Sequence, residues 1–306
     1  MNNPDKVFLN ACQYGHLDVA QQMYQINPTI DISSLTECAF RIACKNGHLD
    51  VSKWLLFVKP AIDISVYNEE AFRYACSNGH LDVAKWLFEI KPTIDISVKN
   101  ENVFRYACRN GHLNVAQWLL SIKPSIDISV NNEFAFKWAC SNGHLDVVKW
   151  LLFVKPTIDI SVDDEFAFKW ACSNGHLDVA KWLLFVKPTI DISAGYENAF
   201  RWTCSNGHLE VAQWLLFVKP TINISACNEY AFIDACINGH LNVAQWLLFV
   251  KPTINISIYN ENAFRYACIN GHLNVAQWLV SLRPDKYKIV VNVDGSIDYD
   301  IIKSLD

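Results

Sequence analysis

The stretch Asn78-Gly79-His80-Leu81-Asp82-Val83-Ala84-Lys85-Trp86-Leu87 decides the fold, because it recurs with small changes nine times along 306 residues. Its Gly-His pair stands at Gly15-His16, Gly47-His48, Gly79-His80, Gly111-His112, Gly143-His144, Gly175-His176, Gly207-His208, Gly239-His240 and Gly271-His272, always 32 residues apart. All nine histidines of the chain belong to that series. Nine of the eleven cysteines lie four residues before them, from Cys12 to Cys268, and nine prolines share the period from Pro28 to Pro284. One structural unit has been copied along the chain, so repeats rather than length set the domain count.

Upstream of the stretch, Glu69-Glu70-Ala71-Phe72-Arg73-Tyr74-Ala75-Cys76-Ser77 follows Asn68, a residue suited to capping, and ends at Asn78-Gly79, a left-handed stop signal. This predicts a short first helix. At 100° per residue Ala71, Phe72, Ala75 and Cys76 share a core stripe, while Glu70, Arg73, Tyr74 and Ser77 point away from it. Downstream, Leu81 to Ile90 is apolar nearly all round except at Asp82, Lys85 and Glu89, the pattern of a second helix enclosed on most sides. Lys91-Pro92 ends it, and Ile94-Asp95-Ile96-Ser97-Val98 alternates as an extended connector does.

A two-helix unit cannot bury its apolar faces alone, so copies must stack at about 8–10 Å per layer. The expected fold is an all-α solenoid of nine helix-turn-helix units over 1–283, with boundaries near 4–35, 36–67, 68–99, 100–131, 132–163, 164–195, 196–227, 228–259 and 260–283. Trp54, Trp86, Trp118, Trp150, Trp182, Trp214, Trp246 and Trp278 form one column that packing explains. The first unit replaces this Trp by polar residues in Gln21-Gln22-Met23-Tyr24, as a water-facing cap would. In the tail, 284–306, the alternation from Tyr287 to Tyr299 around Asp294-Gly295 predicts a small β-hairpin that closes the other end.

The repeated Asn-Gly-His-Leu-Asp-Val-Ala-Lys-Trp-Leu segment resembles the turn and second helix of ankyrin repeats. The first helix, Ala71-Phe72-Arg73-Tyr74-Ala75-Cys76, keeps that family's small and apolar positions but lacks its Thr-Pro and its His. The unit is one residue shorter than usual, and Lys-Pro replaces the common Gly-Ala after the second helix. The likeness covers about 4 to 283 and is most similar to the self-similar arrays of giant DNA viruses and protists. What the resemblance implies is protein binding through a concave face and loop tips, without catalysis or cofactor, and for a viral protein a role directed at host proteins.

A net charge of −5 with 51% hydrophobic residues excludes a disordered polar chain and lacks the basic excess of a general polyanion binder. No apolar run reaches 18 residues, and the first residues show no basic-then-apolar leader, so the expected residence is intracellular, cytoplasmic or nuclear. The Cys-x-x-x-His pattern of Cys76 and His80 offers two zinc ligands per unit where a tetrahedral site needs four, so no metal is expected. Cysteines in register on adjacent layers stand too far apart for disulfides. No phosphate loop and no distinctive nucleophile appears, and no enzyme is expected. The rival function is single-stranded nucleic-acid binding through Arg41, Arg73, Arg105, Lys137, Lys169, Arg201 and Arg265 beside a Tyr/Trp column. Each cation follows a glutamate by four residues (Glu37, Glu69, Glu101, Glu133, Glu165, Glu197, Glu261), and such intrahelical pairs would cancel the field that phosphates need.

Positions that differ between copies are those the framework leaves free, which makes them the candidate surface. On the first helix these are Tyr74, Tyr106, Trp138, Trp170, Trp202, Asp234 and Tyr266, with Lys45, Ser77 and Arg109 on a neighbouring column. At the loop tips they include Tyr67, Lys99, Asp163 and Tyr259. Trp138, Trp170 and Trp202 are the expected anchors, since aromatic residues dominate binding energy at interfaces; the alternative is that these rings stack on one another and serve stability. The eighth unit departs with Ile233-Asp234 and Ile237. A row of Phe57, Phe153, Phe185, Phe217 and Phe249, interrupted by Glu89 and Ser121, predicts partial exposure and a second, apolar face through which copies can self-associate.

Overall fold

The computed structural model describes residues 4–30, 32, 34–292 and 297–301, with the side chains of 4, 34–36, 98–100 and 297 outside the description. The chain divides into two compact units, Met1–Ile158 and Asp159–Asp306. In the first, first and second helices alternate as α1 (Pro4–Tyr14), α2 (Leu17–Ile26), α3 (Ser34–Lys45), α4 (Leu49–Val58), α5 (Val66–Ser77), α6 (Leu81–Ile90), α7 (Val98–Arg109), α8 (Leu113–Ile122), α9 (Val130–Ser141) and α10 (Leu145–Val154). The second continues as α11 (Val162–Ser173), α12 (Leu177–Val186), α13 (Ala194–Ser205), α14 (Leu209–Val218), α15 (Ala226–Ile237), α16 (Leu241–Val250), α17 (Ile258–Ile269) and α18 (Leu273–Leu282). Strands β1 (Tyr287–Val291) and β2 (Ile297–Ile301) follow, antiparallel with Ile289 opposite Tyr299. The hairpin is as the alternation predicts, and Asp294-Gly295 lies outside the described residues.

Within each unit the repeats stack in a solenoid-like arrangement, first helix on first helix. The core is a column of fully buried Phe40, Phe72, Phe104 and Phe136 in one unit and Phe168, Phe200, Phe232 and Phe264 in the other, between buried Ala and Cys. Within each unit tryptophans of the second helices reach the phenylalanine one repeat earlier: Phe72 to Trp118 and Phe104 to Trp150 at 6.2 Å, Phe168 to Trp214 and Phe232 to Trp278 at 6.3 Å. Phe264 has no later tryptophan, and the tail supplies Tyr287 instead, stacked at 4.2 Å and 13°. At the other end Gln22 occupies the tryptophan position and is exposed, as a cap requires.

The Asn-Gly-His turn staples neighbouring repeats. Asn46 Nδ2 and His48 Nε2 both donate to the Gln13 carbonyl, at 2.8 and 3.0 Å, and Asn78, Asn110 and Asn142 donate to the carbonyls of Lys45, Ser77 and Arg109 at 2.7–2.8 Å. These carbonyls end a first helix and would otherwise lack a partner.

Three expectations need correction. The second helix is not the enclosed one: in α12 only Val179, Ala180 and Leu183 are buried, while Asp178, Lys181 and Phe185 face outward. Nothing packs on its far side, so its all-round apolar character leaves apolar residues in the open. The connector is not extended but a pair of turns: Ile94 and Ile96 point inward, and Asp95 Oδ1 accepts from Ser97 N at 2.9 Å, bending the chain at once toward α7.

The third correction concerns the glutamates. The first helix does not begin at an Asn cap. It begins with a left-handed turn in which Tyr67, Asn68 and Glu69 have φ of 54, 58 and 60°, repeated at 131–133, 163–165, 195–197, 227–229 and 259–261. Asn or Asp at most middle positions tolerates this geometry, which costs other residues about 1 kcal/mol each. The turn rotates the glutamate off the helix face: Arg73 bonds backbone carbonyls rather than Glu69, while Glu101 still attracts Arg105 four residues on. Glu133, Glu165, Glu197, Glu229 and Glu261 are buried. Glu69 meets Lys91 Nζ at 3.3 Å, Glu165 accepts from Ser161 Oγ at 2.7 Å and from Asp191 N at 3.3 Å, and Glu197 accepts from Asn223 N at 3.2 Å. The lysine of Lys-Pro thus belongs to this corner: Lys187, Lys219 and Lys251 bond Ser161, Ser193 and Ser225, and Lys155, Lys187 and Lys219 lie 3.6–4.0 Å from Asp127, Asp159 and Asp191. At Glu261 burial pushes the pKa up, but hydrogen bonds from Lys286, Tyr287 and Ser257 outweigh it and hold the carboxyl below its ordinary value.

Candidate interaction face

The cations expected to pair with those glutamates turn to the left-handed turn itself. Arg73 Nε donates to the Asn68 carbonyl at 2.7 Å and Nη2 to the Tyr67 carbonyl at 3.0 Å; Arg201 Nη1 reaches the Tyr196 carbonyl at 3.1 Å, and Lys169 meets Asp164 at 2.7 Å. The arginine bonds satisfy carbonyls that a left-handed turn leaves pointing outward, and Lys169 pairs with the carboxylate of the turn's Asp164. They also fix the basic column beside the aromatic one.

In the unit Met1–Ile158 the column forms a ladder. Tyr106 lies 5.8 Å from Phe134, which lies 5.9 Å from Trp138, and Arg109 covers both ends at 5.5 Å over Tyr106 and 4.8 Å over Trp138. Lys45 Nζ stands 5.0 Å over the Tyr74 ring. In Asp159–Asp306, Phe166 meets Trp170 at 5.8 Å and Trp170 meets Trp202 at 5.4 Å, tilted by 39°. The rings are half-buried: they stack between repeats, as the alternative reading holds, and each still shows surface.

Asp234 interrupts the column and binds Ser205 Oγ at 3.3 Å, while Tyr230, one turn earlier, takes the ring position under Arg201 at 4.4 Å. A hydrogen bond to Asp234 pushes the Tyr230 phenol pKa upward. Tyr266 is 43% exposed. The tips stand apart from this face on the left-handed turns: Tyr67 and Tyr259 are each 54% exposed and Asp163 is exposed, while the side chain of Lys99 lies outside the described residues. Tyr67 carries Arg41 at 4.8 Å over its ring, and the Tyr259 hydroxyl accepts from Asn228 at 2.6 Å. Phe134, Phe166 and Tyr230 were not among the expected site residues. Their signal was available, since each lies four residues before the aromatic column and so on the same helical face.

The nine column cysteines are buried in the scaffold, whereas Cys38 is half-buried and Cys227 exposed. Burial lifts the pKa of Cys12 and Cys44 to about 12, keeping the thiols protonated, and the His48 Nε2 proton goes to a backbone carbonyl. Among the described residues no helix is long and apolar enough to cross a membrane.

Ankyrin repeats match the chain in three copies, over residues 8–100, 104–196 and 200–290. The chain belongs to the ankyrin-repeat family. No curated protein matches it. Ankyrin arrays are in general protein-interaction scaffolds rather than enzymes. Here a left-handed turn precedes the first helix, which lacks the family's usual Thr-Pro, and the corner is held by Ser, Glu and the Lys-Pro lysine.

Proposed function

We propose that this ankyrin array is a non-enzymatic scaffold whose nine units over 1–283 dock a protein partner, with 284–306 as the closing cap. The partner is held on the first-helix face at Tyr74, Tyr106, Trp138, Trp170, Trp202, Asp234 and Tyr266, and at the tips Tyr67, Lys99, Asp163 and Tyr259. The observation that carries this is the ring ladder, in which stacking such as Trp170 on Trp202 fixes rotamers before any partner arrives. Rings already held in place lose little entropy on binding, which favours affinity. The buried, protonated cysteine column fits a reducing, intracellular compartment. A viral role against host proteins is the specific form that the sequence resemblance suggests.

Trp202→Ala is expected to cost about 1–2 kcal/mol of stability, the value of a half-buried stacked ring, and to abolish retention of the partner that the wild-type chain captures from a eukaryotic lysate. Comparing captured proteins by mass spectrometry, with urea denaturation as control, checks both. Unchanged capture by the folded variant would refute the assignment.

A second copy of the chain is a further partner, favoured by Phe185, Phe217 and Phe249, which are 80–82% exposed on successive second helices. Single exposed apolar residues are ordinary, but a row of them marks a contact surface. Sedimentation velocity should show reversible dimerisation of the wild type, lost in Phe185→Ser/Phe217→Ser/Phe249→Ser with an unchanged melting temperature. A wild type that stays monomeric at every concentration would rule this out.

A further inference from the structure

The cations of the first-helix face are unevenly distributed. Helices α3, α5, α7 and α9 carry Arg41, Lys45, Arg73, Arg105, Arg109 and Lys137; α11, α13, α15 and α17 carry Lys169, Arg201 and Arg265 against Asp234. Beside Arg73 the glutamate does not offset this excess, because Glu69 is met at the opposite corner by Lys91 at 3.3 Å; Glu101 acts on Arg105, which stands outside the strip formed by Lys45, Arg73 and Arg109. Arg73 donates to two backbone carbonyls, which carry no net charge. Lys45 and Arg109 lie over Tyr74, Tyr106 and Trp138, rings that orient a cation without neutralising it.

Between them, α5 and α7 enclose a cleft of about 210 Å³ lined by Arg73, Tyr74, Ser77, Asn102 and Tyr106. Its neighbour between α3 and α5 is lined by two cations, Arg41 and Lys45; Arg41 is already paired with Glu70, which leaves Lys45 over the Tyr74 ring. The strip open to a ligand therefore runs from Lys45 past Arg73 to Arg109.

We propose that this strip docks an acidic peptide segment of a protein partner, with carboxylates on Lys45 and Arg109 and a carboxylate or hydroxyl-bearing side chain in the Arg73 cleft. The inference rests on the scaffold reading above and names its partner's chemistry. Lys45 and Arg109 stand two repeats apart, about 16–20 Å at 8–10 Å per layer, a span that about five or six extended residues cover. The recognised segment thus has two acidic positions about that far apart. A nucleic acid fits less well, because the connectors of the same unit expose Asp63 and Asp95 to a continuous phosphate backbone.

The test uses the full chain and a fluorescein-labelled peptide of roughly nine residues with two glutamates at each end and a Ser-Tyr spacer, long enough for the span. Its lysine-for-glutamate counterpart and a single-stranded RNA of the same length are the other arms. Fluorescence anisotropy should show binding of the acidic peptide alone, weakening as salt rises from about 50 to about 300 mM. Lys45→Gln/Arg109→Gln should weaken it at least about tenfold, with the melting temperature within about 3 °C of wild type, and Lys45→Arg should retain it. Equal binding of the basic peptide, indifference to the double substitution, or RNA binding tighter than the peptide would each overturn the proposal. Trp202→Ala separates the two readings: if lysate capture depends on Trp202 while the acidic peptide does not bind, the acidic strip fails and the scaffold stands.

Discussion

Gly111→Ala is expected to destabilise its unit by about 3 kcal/mol, while the same change at Gly271 costs about 1 kcal/mol. Both glycines are left-handed, with φ of 81 and 76°, so both substitutions carry the same backbone penalty. They differ in what lies above them. A Cβ at Gly111 would stand 2.5 Å from His144 Nδ1 and 2.7 Å from its Cε1, whereas a Cβ at Gly271 meets nothing within 4 Å, because the hairpin that follows α18 places no histidine there. His144 must tilt away and lose its hold on the Arg109 carbonyl, a bond that also sets the height of the next layer. Urea denaturation of the two variants beside wild type measures the difference, and equal losses would mean that histidine-on-glycine stacking does not couple the repeats.

That coupling shows what the sequence makes legible. A period of 32 with Gly-His before every second helix leaves little choice but stacked helical pairs, since each pair exposes an apolar stripe that only another copy covers. The tryptophan column and the tail hairpin follow from the same logic, and Tyr287 over Phe264 completes it. The glutamate column was misread because helical spacing is a rule about residues in one right-handed helix, and Glu69 lies in a left-handed turn just outside it. Its partner Lys91 is 22 residues away and becomes a neighbour only when the chain has reversed twice. Asn or Asp in the middle of most of these turns was the available clue, readable as a cap or as a left-handed residue, and only the folded backbone decides between them. The exposure of Phe185 is hidden for a different reason: hydrophobicity reports what a residue prefers, not whether another layer exists to cover it. The ring ladder was half visible, as a column of aromatic residues whose supports at Phe134 and Phe166 required reading the same face one turn earlier.

Acidification is expected to destabilise the fold from about pH 6.5 downward, well before carboxylates titrate. His80, His112, His144, His208 and His240 are all held below the ordinary value of 6.5, first by burial. At His112 the neighbouring imidazoles His144 and His80 push further the same way, while the hydrogen bond to the Ser77 carbonyl opposes them. The unfolded chain therefore takes up protons at a higher pH than the folded one, so the stability these groups contribute is complete above about 6.5 and drains away as pH falls through their folded values. The geometry gives the reason: the Nε2–H bond to a carbonyl orients the ring, and Nδ1 of the next repeat's histidine lies against the left-handed glycine, where burial outweighs the pull of Asp82 on His80 and of Asp146 on His144. Glu261, whose pKa is also lowered, contributes in a separate window below about 4.5, where it protonates. Melting temperatures should be level between about pH 8 and pH 7 and fall steeply below about 6.5, more steeply than one histidine allows, because the sites act in the same direction. His112→Gln keeps a donor to the Ser77 carbonyl without a titrating ring, so its curve should be shallower. A melting temperature that rises on acidification through this window would mean that the imidazoles are charged in the folded state and that the stack is held by ion pairs instead.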